Sequence, residues 1–171
     1  QPFYTSYVKI AEGCSSPCTF CIIPKLRGPQ RSRAVKSIVE EAKNLVKDGV
    51  KEINLVAQET TAYGSDLAGH LTIVELLKNL CTVEGLTWIR LLYGYPYNLP
   101  KGLLEIIHEE EKICKYLDLP IQHINPDILE SMGRRGGACE IKKIIEVIRT
   151  KFPEIALRTT MIVGFPGEGE E

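Results

Sequence analysis

Residues 7–21 read YVKIAEGCSSPCTFC: an apolar, β-prone run that ends, within three residues, in the loop Cys14-x3-Cys18-x2-Cys21. A strand that delivers a glycine and three thiols at its carboxyl end sets the frame for the whole chain, because in parallel α/β folds that end is where ligands bind. Downstream of the loop, Ile38, Val39, Ala42, Leu45 and Val46 share one helical face, with Ser37-x-x-Glu40 read as its capping box and Gly49 as its stop. The next apolar run, 53–57, is again short and β-branched.

This grammar repeats. Five strands are predicted, at 7–11, 53–57, 88–92, 116–120 and 155–163. Helices separate them: Thr72-x-x-Glu75 opens one carrying Ile73, Val74, Leu76, Leu77 and Leu80, and Leu103, Leu104, Ile106 and Ile107 follow Pro100. Asn125-Pro126 opens a further crossover as N-cap and first helical residue, which breaks at Gly136-Gly137 and resumes with Ile141, Ile144, Ile145 and Ile148. Right-handed crossovers put all strands parallel, in an open sheet or a partial barrel. A full eight-unit barrel takes ~250 residues, so five units are the most this chain holds.

Composition agrees with one folded unit. The chain has 171 residues, near the ~150 of a typical domain, with 44% hydrophobic and 25% charged residues. Twenty-one Lys and Arg against 22 Asp and Glu give a net charge of -1, so no global basic field drives nucleic-acid binding. No apolar run approaches the ~20 residues that cross a bilayer, and no signal peptide opens the chain. A cytoplasmic location is expected, and the start at Gln1 reads as a fragment of a longer protein.

The residues set aside from the core fall just after each strand: Glu12-Gly13-Cys14, Gln58-Glu59-Thr60-Thr61, Tyr93-Gly94-Tyr95-Pro96, Gln122-His123 and Gly164-Phe165-Pro166-Gly167-Glu168. Glycines and polar residues populate loops in any fold, yet five such segments at one rim point to one site. Three local thiols suit a soft metal, zinc, copper(I) or an iron–sulfur cluster. A closed structural centre takes four ligands. Three leave either an open position for chemistry or a zinc site completed by His123 or a remote cysteine.

Cys-x3-Cys-x2-Cys after the first strand, with Phe20 before the last cysteine, resembles the signature of the radical S-adenosylmethionine enzymes. The resemblance implies a partial (β/α)6 TIM-like barrel, here truncated after the fifth strand, and a 4Fe-4S cluster held by Cys14, Cys18 and Cys21 with one open iron. It implies S-adenosyl-L-methionine on that iron and a 5'-deoxyadenosyl radical on reduction. Residues 8–14, the Cys21-Ile22-Ile23-Pro24 continuation with Arg27-Gly28 and Arg31-Ser32-Arg33, and residues 162–168 resemble the methylthiotransferases. Residues 57–66, Ala57-Gln58-Glu59-Thr60-Thr61-x-Tyr63-Gly64-x-Asp66, and Leu157-Arg158-Thr159-Thr160 are closer to their ribosomal-protein branch than to their tRNA branch.

That branch implies a methylthio group placed on the β-carbon of an aspartate in a small-subunit ribosomal protein, the twelfth. It also implies a reductant such as flavodoxin or ferredoxin, an amino-terminal domain with a second 4Fe-4S cluster, and a carboxyl-terminal TRAM-like domain. The alternatives are the tRNA branch and a non-enzymatic zinc or iron–sulfur module. Carried over by position, Phe20 packs beside the cofactor, Gln58 and Glu59 meet its methionyl amino group, and Gln122 and Arg134 suit its ribose and carboxylate. Gly164 and Pro166 form the turn beneath adenine.

Arg158, in an apolar strand, is expected to be buried and to pair with the cofactor carboxylate or a substrate aspartate. The basic stretch Lys25, Arg27, Arg31 and Arg33 reads as a solvated face more than as a receptor for acidic peptide or RNA. Cys81, Cys114 and Cys139 read as small apolar packing groups, and His70 and His108 as surface residues.

Overall fold

A computed structural model describes residues 4–69, 71–97, 99–134 and 137–169. Its elements run β1 (Thr5–Lys9), β2 (Ala11–Glu12), α1 (Ile23–Arg27), β3 (Arg31–Ser32), α2 (Val35–Lys47), β4 (Glu52–Val56), α3 (Ile73–Cys81), β5 (Trp88–Leu91), α4 (Leu103–Glu109), β6 (Tyr116–Asp118), α5 (Pro126–Ser131), α6 (Gly137–Lys151) and β7 (Ala156–Arg158). Strands β1, β4 and β5 pair in parallel, as do β6 and β7. The two groups join through a parallel bridge between Ile89 and Ile113 and a hydrogen bond from the Gly94 N–H to the Asp118 carbonyl at 2.8 Å. The five parallel strands therefore lie side by side in chain order, with no reversal. That order makes a barrel wall and not a doubly wound sheet, which has a switch point.

Alternation along each strand separates two faces. Val8, Ile53, Leu55, Ile89, Leu91, Leu117 and Leu119 are buried under the helices with Ile38, Ala42, Ile73, Leu76, Leu77, Leu80, Leu103 and Ile107. Full burial of each such side chain contributes roughly 1.5–3 kcal/mol. The opposite face is polar: Tyr7, Asn54 and Arg90 stand in register on β1, β4 and β5, and Arg90 pairs with Glu52 at 2.9 Å. This concave face leads up to the rim.

The five predicted strands are parallel as expected; two expectations need correction and two elements are additional. Strands β2 and β3 form a short antiparallel ribbon that folds the cysteine loop back on itself. Helix α2 starts at Val35 after an extended Ala34, so Ser37 lies inside its first turn and is no cap; its hydroxyl accepts from Arg33 Nη2 at 2.9 Å. Regular pairing of the last strand ends at Arg158, because the Thr159 hydroxyl takes the place of backbone there, donating to the Leu119 carbonyl at 2.8 Å and accepting from the Ile121 N–H. Helix α1, opened by Pro24, is a five-residue element the periodicity does not reveal. The capping box of α3 and the Asn125 cap of α5 form as expected. His70 and Gly136 lie outside the described residues.

Candidate functional site

Cys14, Cys18 and Cys21 line one cavity of about 670 Å³ at the carboxyl rim of the strands, together with Phe20. The loop around it is fixed at both ends. At its start Gly13 has φ +82°, and a Cβ there would lie 2.2 Å from the Pro29 carbonyl oxygen. The Cys14 N–H donates to the Gly28 carbonyl at 3.1 Å, and the Cys21 N–H closes a turn on the Cys18 carbonyl. Farther round, Thr19 bonds the end of α5, its N–H to the Met132 carbonyl and its hydroxyl to that of Ser131. Gly133 (φ +69°) is the matching contact, since a Cβ there would lie 2.5 Å from the Pro17 oxygen.

Residues just after β4 brace this loop. Gln58 accepts the Gly13 N–H through its side-chain oxygen at 2.8 Å. Glu59 accepts the Ser16 hydroxyl at 2.6 Å and stands 3.7 Å from Cys14 Sγ. The Ser16 N–H in turn donates to that sulfur at 3.4 Å. Burial pushes the Cys14 thiol up, with the Glu59 charge adding to it and the Ser16 N–H opposing it. Burial also pushes Cys18 up, and the Arg134 charge is the one pull the other way, against Cys14, Cys21 and Glu59.

Across the rim, Arg134 is buried between aromatic rings, its guanidinium carbon 4.7 Å from the Tyr95 centroid and 5.7 Å from that of Phe20. Gln122 sits after β6 with φ +70°. Its N–H donates to the Thr160 carbonyl and its own carbonyl accepts from Ile162. Tyr93, after β5, shares this left-handed geometry at φ +61°, a conformation that side chains adopt only under strong local restraint. The Gly164–Glu168 turn is closed by Glu168, which accepts the N–H groups of Gly164 and Phe165 at 2.5 and 2.9 Å and faces His123 Nε2 at 3.3 Å. Gly164 is needed for its φ of +79°, not for a close approach, as nothing lies within 4 Å of its Cβ position. Pro166 belongs to the same turn.

Arg158 is not buried. Its side chain is 58% exposed on the concave face and the buried member of the pair is Asp118, at 2% and 3.4 Å away. One Asp118 oxygen meets Arg158 and the Tyr93 N–H, while the other has no partner among the described residues. Sequence reasoning missed Asp118 and Gly133, and gave Tyr93 and Tyr95 no role beyond their place in the Tyr93-Gly94-Tyr95-Pro96 segment.

The basic stretch is mostly engaged: Arg27 with Glu12, Arg33 with Glu41 and the Lys9 carbonyl, Arg31 with the Pro29 carbonyl. Cys139 is exposed and so is no packing group, because α6 turns that position outward; Cys81 and Cys114 are half-buried. Among the described residues no three His, Cys, Asp or Glu side chains close on a point that would hold a single metal ion. Both His123 nitrogens are engaged, Nδ1 with the Asn125 N–H at 3.0 Å. The zinc alternative therefore lacks its fourth ligand there.

Comparison with known proteins adds the following. The family profile of the radical SAM superfamily matches residues 8–171. The chain is 52% identical over 171 residues to ribosomal protein uS12 methylthiotransferase RimO of Geotalea uraniireducens, covering 100% of this chain and 38% of that protein. It is 54% identical over 168 residues to the protein of the same name from Citrifermentans bemidjiense, covering 98% and 38%. The chain thus spans well under half the length of these relatives. Among solved structures, the radical S-adenosylmethionine methyltransferase TsrM from Kitasatospora setae, with cobalamin and a [4Fe-4S] cluster bound, superposes with a TM-score of 0.75. The identity is 18%, over 96% of this chain and 32% of that one, a likeness of fold.

Proposed function

The chain belongs to the radical SAM superfamily, and from that premise we propose that it is the catalytic core of a methylthiotransferase acting on an aspartate side chain of a small-subunit ribosomal protein. The observation that carries the chemistry is the cysteine loop: three sulfurs around one cavity, short of the four ligands that would saturate a centre. The substrate class rests on the identity of about half the residues, along the whole chain, with proteins named for uS12.

The residues fit a 4Fe-4S cluster. A cubane takes its thiolates at separate corners, and the three cysteines that line this cavity could supply them. The Ser16 N–H already supports the Cys14 sulfur as an outer-layer hydrogen bond should. When bound, the cluster and S-adenosylmethionine supply one-electron cleavage to a 5'-deoxyadenosyl radical.

The chain's own residues bind and orient. Cys14, Cys18 and Cys21 would hold the cluster as thiolates, and Phe20 walls the cavity. Gln58 fixes the loop through Gly13, and the Glu59 carboxylate stands ready for an ammonium group. Gln122, Gly164 and Pro166 would meet the ribose and adenine of the cofactor. Arg158 on the concave face offers free N–H donors to an incoming carboxylate, and a bidentate guanidinium contact would fix the β-carbon toward the rim.

In the longer protein a second cluster in an amino-terminal domain supplies sulfur, a TRAM-like domain carries the substrate, and flavodoxin or ferredoxin supplies the electron. Ribosome modification places that protein in the cytoplasm; among the described residues no helix is long and apolar enough to cross a membrane. The test has two stages. Anaerobic reconstitution should yield about four irons per chain and, under dithionite, 5'-deoxyadenosine. The full-length parent, offered a uS12 peptide and a tRNA in parallel, should modify the peptide; modification of tRNA alone would move the chain to the other branch.

A further inference from the structure

Asp118 is buried on a face that is otherwise open. Alternation sends its neighbours Leu117 and Leu119 under the helices and Asp118 itself to the concave side. Its side chain is nevertheless 2% exposed, and one oxygen has no partner among the described residues. A buried carboxylate met on one oxygen only costs stability, so packing does not account for it. Its contacts do.

The other oxygen accepts from Arg158 Nη1 and from the Tyr93 N–H, both at 3.4 Å. Asp118 and Arg158 stand opposite each other in the β6–β7 register, and the Leu119 N–H donates to the Arg158 carbonyl at 2.9 Å, so backbone pairing fixes where the guanidinium starts. Tyr93 would follow Ile89 and Leu91 under the helices if β5 ran on straight. Its φ of +61° turns it out instead, with the ring half-exposed. Such a conformation persists where neighbours enforce it: the Asp118 carboxylate takes the Tyr93 N–H, and Thr60 holds the Tyr93 carbonyl through its N–H at 3.0 Å and its hydroxyl at 3.2 Å. The residue before Thr60 is Glu59, 3.7 Å from Cys14 Sγ. One carboxylate thus ties the concave-face guanidinium to the loop that faces the cysteines.

Two arginines lie on this face, and they differ. Arg90 is committed, its Nε on Glu52 at 2.9 Å and its guanidinium carbon 5.3 Å from the Tyr116 centroid. Arg158 is 58% exposed, and among the described residues its one ion pair is the long contact to Asp118. The Tyr116 phenol, then the Asp118 charge, favour its cationic form. We propose that Asp118 is the positioning residue of the substrate-carboxylate site, aiming Arg158 and holding that guanidinium at a set distance from the cysteine rim. This rests on the reading of Arg158 as the group that receives the substrate aspartate. A pre-aligned guanidinium gives up less freedom on binding a carboxylate, and a radical abstracts hydrogen only from a carbon held within reach.

The full-length parent is compared as wild type, R158A, D118N and the double variant. Melting temperature and iron content come first. Affinity for a uS12 peptide is then measured by calorimetry without reductant, and 5'-deoxyadenosine and methylthiolated peptide are counted under reduction. D118N should keep wild-type melting and iron, bind the peptide roughly tenfold more weakly, as R158A does, and release more 5'-deoxyadenosine per methylthiolated peptide. The double variant should bind no more weakly than R158A, the non-additivity of residues that act as one unit. Where D118N lowers the melting temperature, D118S, which also removes the unmet oxygen, takes its place.

Peptide affinity and product ratio at the wild-type level or better in D118N overturn the proposal, and so does a double variant whose loss is the sum of the two. Loss of folding in both D118N and D118S makes Asp118 a structural group and overturns it as well. A wild-type parent that leaves the peptide unmodified, or an R158A protein that binds it normally, sinks the substrate reading instead, a failure separate from these.

Discussion

At residue 13 an added methyl group has nowhere to go, since the Pro29 carbonyl stands 2.2 Å from its place and φ is +82°. Gly13→Ala is expected to lower stability by about 1–3 kcal/mol, read as a reduced melting temperature, and to cut iron uptake by displacing Cys14. A melting curve like that of wild type would show the loop start to be pliable. Arg158 makes a different prediction, because it sits beyond the cysteine loop, largely exposed, with its guanidinium 3.4 Å from Asp118. In the full-length parent, Arg158→Ala should leave 5'-deoxyadenosine formation intact while raising the KM for the uS12 peptide roughly tenfold or more, as loss of a charge-assisted contact does; equal losses in both would place Arg158 on the cofactor. The cysteines were legible in the sequence because their chemistry lies in local spacing. The Asp118 oxygen and the Arg134 sandwich were not, because each is made by strands and loops far apart in the chain, and a single letter does not say which face of a strand it occupies.

Helices α2 and α3 carry the same Ser/Thr-x-x-Glu pattern and use it differently. In α3 the box closes, Thr72 accepting from Val74 and Glu75 reaching back to the Thr72 N–H at 3.0 Å. In α2 the extended conformation of Ala34 starts the helix two residues ahead of Ser37, an outcome of the β3 turn that no local motif encodes. Thr72→Ala should therefore cost about 0.5–2 kcal/mol and Ser37→Ala only a few tenths, within the usual range for surface changes, with the two compared by urea denaturation. The parallel framework was legible for the complementary reason: apolar alternation and helical periodicity repeat five times, whereas the β2–β3 ribbon is two residues long and leaves no period to read. The Gly164–Glu168 turn adds a pH dependence. The backbone N–H of Phe165, then His123 and the Gly164 N–H, hold the Glu168 carboxyl below its ordinary value. Its support for the turn is thus complete above the unfolded carboxyl pKa of ~4.3 and lost as pH falls through the lower folded value. Faster amide exchange at Gly164 and Phe165 in Glu168→Gln near neutral pH, matching wild type in acid, is the expected result.

Taken whole, the molecule is a wall of five parallel strands whose apolar side is covered by helices and whose other side is polar and open. An ordinary full barrel fills its interior with branched apolar side chains. Here Tyr7, Asn54 and Arg90 stand in one register row, and Asp118 and Arg158 pair across β6 and β7. Such a face cannot serve as a core, yet it suits a polar ligand held next to the cysteine rim. The rim brings three sulfurs to one cavity. On the proposed function, methylthio transfer consumes a sulfur atom at each turnover and draws it from the second cluster of the longer protein. The 171-residue chain, reconstituted and reduced, is therefore expected to form 5'-deoxyadenosine with no methylthiolated peptide, while the full-length parent forms both, as mass spectrometry of the peptide would register. Methylthiolated product from the chain alone would mean that the sulfur comes from the cluster in this loop, and the division of labour between domains would have to be redrawn.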